Sequence, residues 1–401
     1  MTETVYIGLL GLGTVGSGTA RTLQRHAAKI TQLTGKKIVV KTALVRDPKL
    51  PVAEDLQDIR LVGTVEEVVS DPQIRIVAEV MGTIDIAREY IIKALTAGKH
   101  VVTANKDLIA VHGEELAQIA KQHHVTLLYE ASVAGGIPVL RTITDSLAAD
   151  ELHTVMGIVN GTTNYMLTKM SNEQWTYDEA LKKAQEAGFA EANPTSDVDG
   201  LDAARKMVIL TRLAFGMNVT LEDIAIKGIR HVELQDILYA QTAGYTVKLL
   251  GTAKVVAGKL SLSVNPVFVP NTHLLAQVQL ENNAVYVVGD TVGELMFYGP
   301  GAGSLPTGTS VANDIVTIVK SLELPVEHTH TYEQPTVLAS KEEIVSRYYV
   351  RYSTNQPSPE WVENSIEQTD TQVVGITTEM SQAMIEQYAL EYNAVYYPVL
   401  D

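Results

Sequence analysis

Glu191, Asp202 and Lys206 stand close together in the sequence, and they are residue types that could move a proton. A lysine held away from water can act as a proton shuttle, because desolvation favours its neutral amine. Oxidising an alcohol needs such a shuttle while a hydride leaves for an acceptor. Two nearby carboxylates would suit a substrate carrying an ammonium group. The stretch 188–200 (GFAEANPTSDVDG) reads as a polar loop leading into a helix over 201–215. Asp202 and Lys206 are i,i+4 neighbours on that helix; as a surface ion pair they would contribute only about 0.2–0.5 kcal/mol. The helical wheel favours a pocket. Ala203, Ala204, Met207, Val208, Leu210 and Ala214 cover most of the circumference, as in a largely buried helix. Its polar stripe holds Asp202, Arg205, Lys206 and Arg212, interrupted by Ile209 and Leu213. Charges on such a helix need partners or a pocket, so a structural ion pair is the competing reading.

A second constellation is Gly11-Leu12-Gly13-Thr14-Val15-Gly16, a G-x-G-x-x-G between a strand and a helix. Gly11 permits the tight turn, Gly13 lets backbone approach a pyrophosphate, and Gly16 allows close helix–strand packing. The helix start supplies free N–H groups and partial positive charge to phosphates. A glycine turn needed only for packing is the bland alternative. The end of the next strand reads Val45-Arg46-Asp47-Pro48. Arg46 there would pair with the 2′-phosphate of NADP, since a guanidinium matches a phosphate in geometry and charge. Asp47 could instead serve the ribose of NAD. The spacing from the glycines exceeds the usual ~20 residues, which a longer first helix and a loop with Gly35 would explain.

The third is Thr103-Ala104-Asn105-Lys106, after a short strand. In an open parallel sheet, ligands sit at the carboxyl ends of strands, so Lys106 could reach cofactor or substrate. A solvated loop lysine is the commoner fate.

The elements that must position these groups are legible in outline. Strand patterns at 4–10, 37–45, 75–81, 100–103 and 125–129 alternate with helical patterns to about 29, then at 85–97 and 114–122. That alternation predicts an α/β domain with a parallel sheet covered on both faces. After residue 130 the pattern changes. A glycine-containing loop at 131–138 precedes a helical stretch at 139–148 and a strand at 152–159. Helices at 177–187 and 201–215 and strands at 252–256, 260–269 and 284–288 predict a mixed α+β domain. A helical period at 309–322 could pack back on the first domain, and 325–335 reads as a linker. The tail 344–401 has strand-like runs at 346–352 and 372–378 and a helical run at 380–388. The expected domains are therefore 1–130 with 301–325 returning to it, 131–300, and a small module at 340–401.

Bulk properties narrow the classes. The chain has 401 residues and a formal charge of −16, which argues against nucleic acid as a partner. It has no cysteine, so disulfides, a thiolate nucleophile and a zinc–thiolate site are excluded. The N-terminal residues lack the basic-then-apolar pattern of a signal peptide. No run reaches the ~18 uncharged apolar residues of a membrane span. A soluble, cytoplasmic protein with no membrane partner is expected.

Taken together, these segments resemble the homoserine dehydrogenase family. They are Gly11–Gly16, 103–106 (TANK), 129–138 (YEASVAGGIP), 157–165 (GIVNGTTNY), 187–206 (AGFAEANPTSDVDGLDAARK) and 298–307 (YGPGAGSLPT), in the family's order. The resemblance implies a Rossmann-type domain, a mixed catalytic and dimerisation domain, and reversible oxidation of L-homoserine to L-aspartate 4-semialdehyde with NADP, or NAD. It places the reaction in threonine, methionine and isoleucine biosynthesis and implies a homodimer. Carried over, Lys206 is the proton carrier, Lys106 assists between cofactor and substrate, and Glu191 and Asp202 hold the substrate. Leu12, Thr14, Val15, Arg46, Lys106, Gly188 and Gly303 line the cofactor. A monovalent cation, Na+ in most members, lies around Glu130, Val133, Gly135 and Ile137, partly on backbone carbonyls. The tail resembles a shortened ACT module, the regulatory domain with which many members end. Two other readings stay open: an NADP-dependent oxidoreductase acting on another amino-acid-derived aldehyde, and a non-catalytic dinucleotide sensor.

Overall fold

The computed structural model describes residues 2–49, 51–323, 332, 336–353, 360–368 and 372–400. Its contacts divide the chain into two units. The first comprises Met1–Ala149, Arg212–Asn218 and Gly299–Gln334; the second comprises Asp150–Thr211, Val219–Tyr298 and Pro335–Asp401. This division extends the first unit past residue 130 and keeps the tail with the middle of the chain. Most of the expected linker at 325–335 lies outside the described residues. Among the described residues, no helix is long and apolar enough to cross a membrane.

The first unit is built on six parallel strands: β1 (Thr4–Leu10), β2 (Lys37–Leu44), β3 (Arg60–Val62), β4 (Ile74–Glu79), β5 (His100–Thr103) and β6 (Leu127–Leu128). Their order is β3-β2-β1-β4-β5-β6. All five pairings are parallel, as the alternation of strand and helix patterns predicts. The order reverses between β1 and β4, where such sheets bind ligands. Helices α1 (Thr14–Arg25), α2 (Ala27–Thr34), α3 (Glu66–Val69), α4 (Asp85–Thr96) and α5 (Lys106–Gln122) connect the strands. The helix Ser304–Ser321 returns to this unit. Val311, Ala312, Ile315, Ile318 and Val319 share a buried core with Val5, Ile7 and Leu9 of β1.

That returning helix lies against α1 at bare backbone. A Cβ on Gly18 would fall 2.0 Å from the Ser304 carbonyl oxygen, and one on Gly308 would fall 2.5 Å from Gly18 C and Thr19 N. Backbone cannot swing away as a side-chain end can. Gly18→Ala is expected to cost about 1–3 kcal/mol, the usual penalty of overpacking. A thermal melt unchanged from wild type would refute the close approach.

Several elements depart from the sequence reading. The helix expected at 114–122 begins at Lys106. The Asn105 side chain caps it by accepting from Leu108 N at 3.1 Å. The helix expected to run to about 29 ends at Arg25, and a second begins at Ala27. The helical stretch expected at 139–148 is a wider π-type turn over Thr142–Ser146.

The second unit carries a mixed sheet of β7 (Leu152–Ile158), β8 (Ala225–Ile226), β9 (Tyr245–Val256), β10 (Lys259–Pro270), β11 (Asn282–Gly289) and β12 (Gly293–Pro300). Its order is β12-β11-β7-β9-β10-β8. Neighbours β11–β7, β7–β9 and β9–β10 run antiparallel, and β10–β8 parallel. β10 alternates buried and half-buried residues along most of its length, the mark of a strand with one face on a core. Helices α6 (Gly161–Glu173), α7 (Tyr177–Glu186), α8 (Thr195–Val198), α9 (Leu201–Phe215) and α10 (Leu234–Thr242) complete it; α9 crosses from this unit into the first at Arg212. The sequence reading did not find α6, α10 or β12.

The tail forms a short pair, β13 (Val345–Ser346) with β17 (Met380–Ser381), and a four-stranded sheet. That sheet joins β14 (Tyr348–Ser353), β15 (Val362–Gln368), β16 (Gln372–Thr377) and β18 (Val395–Pro398) in the order β15-β16-β14-β18, with helix Gln382–Tyr392 before the last strand. Aromatic and ionic contacts fasten it to the mixed sheet. Phe268 of β10 stacks on Tyr349 with ring centres 4.2 Å apart. Buried Asp236 of α10 accepts from Tyr349 Oη at 2.8 Å and Arg351 Nε at 2.7 Å. A carboxylate that has lost its water needs such donors.

Candidate active site

The glycine turn adopts the conformation its sequence calls for. Gly11 has φ +107°, open to glycine and strained for other residues. A Cβ on Gly16 would lie 2.3 Å from the Gly11 carbonyl oxygen, whereas one on Gly13 would meet nothing within 4 Å. Gly16 is thus required for packing, and Gly13 leaves open space where a phosphate can approach backbone. Leu12 carries the turn forward, and Thr14 and Val15 open α1. Ser304 Oγ donates to the Thr14 carbonyl at 2.7 Å, so the helix capped by Gly303 (φ +119°) starts beside α1. Two sets of unpaired helix N–H groups therefore begin next to the turn.

Arg46 is exposed just past the end of β2. Asp47, the rival for a ribose, turns its Oδ1 back to accept from Lys49 N at 3.0 Å. Lys106 is the first residue of α5, half-buried, with Nζ 3.5 Å from Asp107 Oδ2.

Sequence reasoning missed a buried carboxylate beneath these loops. Glu79, at the end of β4, accepts from Thr103 Oγ1 at 2.6 Å and from Met81 N at 2.7 Å. Thr103 Oγ1 in turn accepts from Asn105 N at 3.0 Å. One side chain thus ties the loop after β4 to the loop carrying Lys106. Burial pushes the Glu79 carboxyl upward, and these donors pull the other way. Its position directly after the apolar run 76–78 (IVA) was the available signal.

In the second unit, Lys206 Nζ donates to the Val159 carbonyl at 2.6 Å and to Asp202 Oδ2 at 2.8 Å. The two side chains are only 12% and 10% exposed. Asp202 Oδ2 also accepts from Asn160 Nδ2 at 2.9 Å, and the same amide nitrogen reaches Asp197 Oδ1 at 2.7 Å. Burial raises the Asp197 carboxyl, its bond from Asn160 lowers it, and the Asp202 charge raises it again. The structure thus joins Lys206 and Asp202 and adds Asn160 and Asp197, which the sequence reading did not single out. Glu191 is exposed on the loop; its carbonyl accepts from Gln185 Nε2 at 3.1 Å. No described hydrogen bond ties its carboxylate to the cluster. Gly188 ends α7 at φ +79° with open space around it.

The loop after β6 is rich in buried oxygen. Glu130, Val133, Gly135 and Ile137 are all buried, and Ala134 and Gly135 take successive left-handed conformations at φ +52° and +50°. Glu130 accepts from Leu140 N at 2.7 Å and Arg141 N at 2.9 Å. Its own N–H donates to Asp314 Oδ2 at 2.9 Å. Asp314 Oδ1 is buried without a hydrogen-bond partner, 3.7 Å from Arg141 Nε. Among the described residues, no group of three or more acidic or histidine side chains could hold a metal ion, so a cation here would rely on carbonyl oxygens.

A parallel sheet with a phosphate-ready glycine turn at its switch point is the architecture of an NAD(P)-binding domain, the class found in many oxidoreductases. Comparison with known proteins agrees. The NAD-binding domain model of homoserine dehydrogenase matches residues 11–130, and the homoserine dehydrogenase model matches 138–316. The homoserine dehydrogenase of Bacillus subtilis is 50% identical over 324 residues, spanning 81% of this chain and 75% of the relative. The crystal structure of a homoserine dehydrogenase from Thiobacillus denitrificans superposes with a TM-score of 0.94 at 34% identity, covering 100% of this chain and 99% of that one. A more distant hyperthermophilic archaeal homoserine dehydrogenase, solved in complex with NADPH, gives 0.66 at 26% identity over 80% of this chain and 99% of that one. The chain belongs to the homoserine dehydrogenase family.

Proposed function

We propose that the chain catalyses the reversible NADP(H)-dependent interconversion of L-homoserine and L-aspartate 4-semialdehyde, in the cytoplasm and as a homodimer. This is the reaction that supplies threonine, methionine and isoleucine biosynthesis. The observation that carries the reading is the Lys206 arrangement. Two of the three N–H positions of its ammonium are committed to Val159 and Asp202, and the third can serve a substrate oxygen. Asp202 and Glu191 would hold the substrate's ammonium group. Lys106 would assist from the cofactor side.

A bound dinucleotide would supply the hydride chemistry, as acceptor for the alcohol carbon in one direction and donor to the aldehyde carbon in the other. Lys206 takes the hydroxyl proton as the alcohol is oxidised and gives it back as the aldehyde is reduced. Asp202 holds the lysine in place through both protonation states. The residues present fit the cofactor. Gly11, Leu12, Gly13, Thr14, Val15, Gly16 and Gly303 would hold its phosphates, and Gly188 would line it. Arg46 would hold the 2′-phosphate, a reading supported by its exposure and by the diversion of Asp47 to its own turn. The NADPH complex of the archaeal relative points the same way.

A monovalent cation, Na+, fits the loop at Glu130, Val133, Gly135 and Ile137. The donors are all oxygens, the hard ligands such an ion takes, and a carboxylate oxygen of Asp314 lies buried there without a donor. For the dimer, β12 is the edge of its sheet and presents Tyr298 at 54% exposure; an edge strand offers unpaired backbone to a second copy. The tail's strand order β15-β16-β14-β18 and its helix before the last strand follow the order of a βαββαβ module, which supports the shortened ACT-like reading.

A spectrophotometric assay with aspartate semialdehyde tests the reading. NADPH oxidation is expected, faster than NADH oxidation, and faster with NaCl than with choline chloride at equal ionic strength. No consumption of either nucleotide would overturn the proposal.

A further inference from the structure

Asn160 lies between β7 and α6 and is nearly fully buried, at 5% exposure. Its side chain has a fixed orientation. Oδ1 accepts from Thr163 N and Thr163 Oγ1, both at 2.9 Å, which caps α6. Nδ2 therefore faces the other way, where it meets Asp197 Oδ1 of α8 and Asp202 Oδ2 of α9. The preceding residue, Val159, supplies the carbonyl that holds Lys206. Residues 159 and 160 thus hold the lysine and its carboxylate partner at once.

The cap does not explain the choice of asparagine. Serine or aspartate caps a helix about equally well. What asparagine adds is a pair of N–H donors beside the capping oxygen. Aspartate here would place a third carboxylate against two others. Serine would keep the cap and leave Asp197 and Asp202 without their shared donor. Like charges crowded in a half-buried site drive one group to take a proton or move apart. The charged groups around the amide are Asp197, Asp202 and Lys206. Beyond them, Arg205 reaches Ser196 at 3.2 Å and Arg230 pairs with Asp199.

We propose that Asn160 is a positioning residue, whose amide clamps Asp197 and Asp202 side by side and so holds Lys206 in one arrangement for the substrate. The proposal rests on the homoserine reading and specifies how its proton carrier is kept in place. Because a misplacement of about 1 Å can cost a factor of 10², two variants that keep the cap should differ from each other and from wild type.

The experiment measures kcat and KM for homoserine from pH 6.5 to 9.5, NADPH affinity by fluorescence, and thermal melts for wild type, Asn160→Ser, Asn160→Asp and Lys206→Ala. Asn160→Ser is expected to lose about tenfold in kcat/KM, the size of one hydrogen bond to a charged group. Asn160→Asp is expected to lose about 10² at pH 9 and less at pH 6.5, where its added carboxyl can take a proton. Asn160→Ser should melt close to wild type, Asn160→Asp should melt lower at pH 9 than at pH 6.5, and both should bind NADPH normally. An Asn160→Asp enzyme within twofold of wild type, or one with the same loss at every pH, would overturn the proposal. The parent reading fails separately, if the wild type does not use homoserine or Lys206→Ala keeps its turnover.

Discussion

A Lys206→Ala enzyme is expected to turn over homoserine about 10²-fold or more slowly than wild type, the usual effect of removing a positioned acid–base group. The loss should fall on kcat, because Asp202 keeps its bond from Asn160 in the absence of the lysine. NADPH binding, measured by fluorescence titration, should stay near normal. Lys206→Arg separates proton transfer from charge. A guanidinium keeps the positive charge, yet it does not give up its proton in a protein. The arginine variant should therefore be nearly as slow as the alanine one. Turnover close to wild type in either variant would remove Lys206 from the chemistry.

Arg46→Ala is expected to raise the Kd for NADPH by roughly 10–100-fold, the range of hydrogen bonds to a charged group. The Kd for NADH should change little, since only NADPH carries a 2′-phosphate. The argument rests on the end of β2. Arg46 is exposed there, while Asp47 spends its carboxylate on Lys49 N. The preference should also weaken with rising salt, because an exposed ion pair is screened. Equal losses for the two nucleotides would show that Arg46 supports the turn and does not select the cofactor.

Much of the first unit could be read from local pattern. Alternating strand and helix signals predict the parallel sheet, and the glycine spacing predicts the turn at Gly11, where φ is +107°. The polar stripe of the 201–215 helix marked Lys206 and Asp202 as needing partners, and they are bonded at 2.8 Å. Local signals were also passed over. Asn105 and Asn160 both cap helices; the first could have moved the start of the 114–122 helix to Lys106, and the second could have announced the helix at Gly161. The weak, short strands and the half-buried β12 lack a strong period, so pattern alone did not find them.

What the sequence determines by itself is whatever nearest neighbours decide: the turn that only glycine can make, the capped helix starts, the absence of thiol chemistry, and the lysine one helical turn from its aspartate. Tertiary structure decided which distant groups share a bond. Asn160 meets carboxylates 37 and 42 residues away, Glu79 meets Thr103 across two strands, and the helix of Ser304 reaches Thr14 across 290 residues. Such pairings leave no period in the sequence. They arise because burial strips each polar group of water and obliges it to find a partner among whatever the fold brings near.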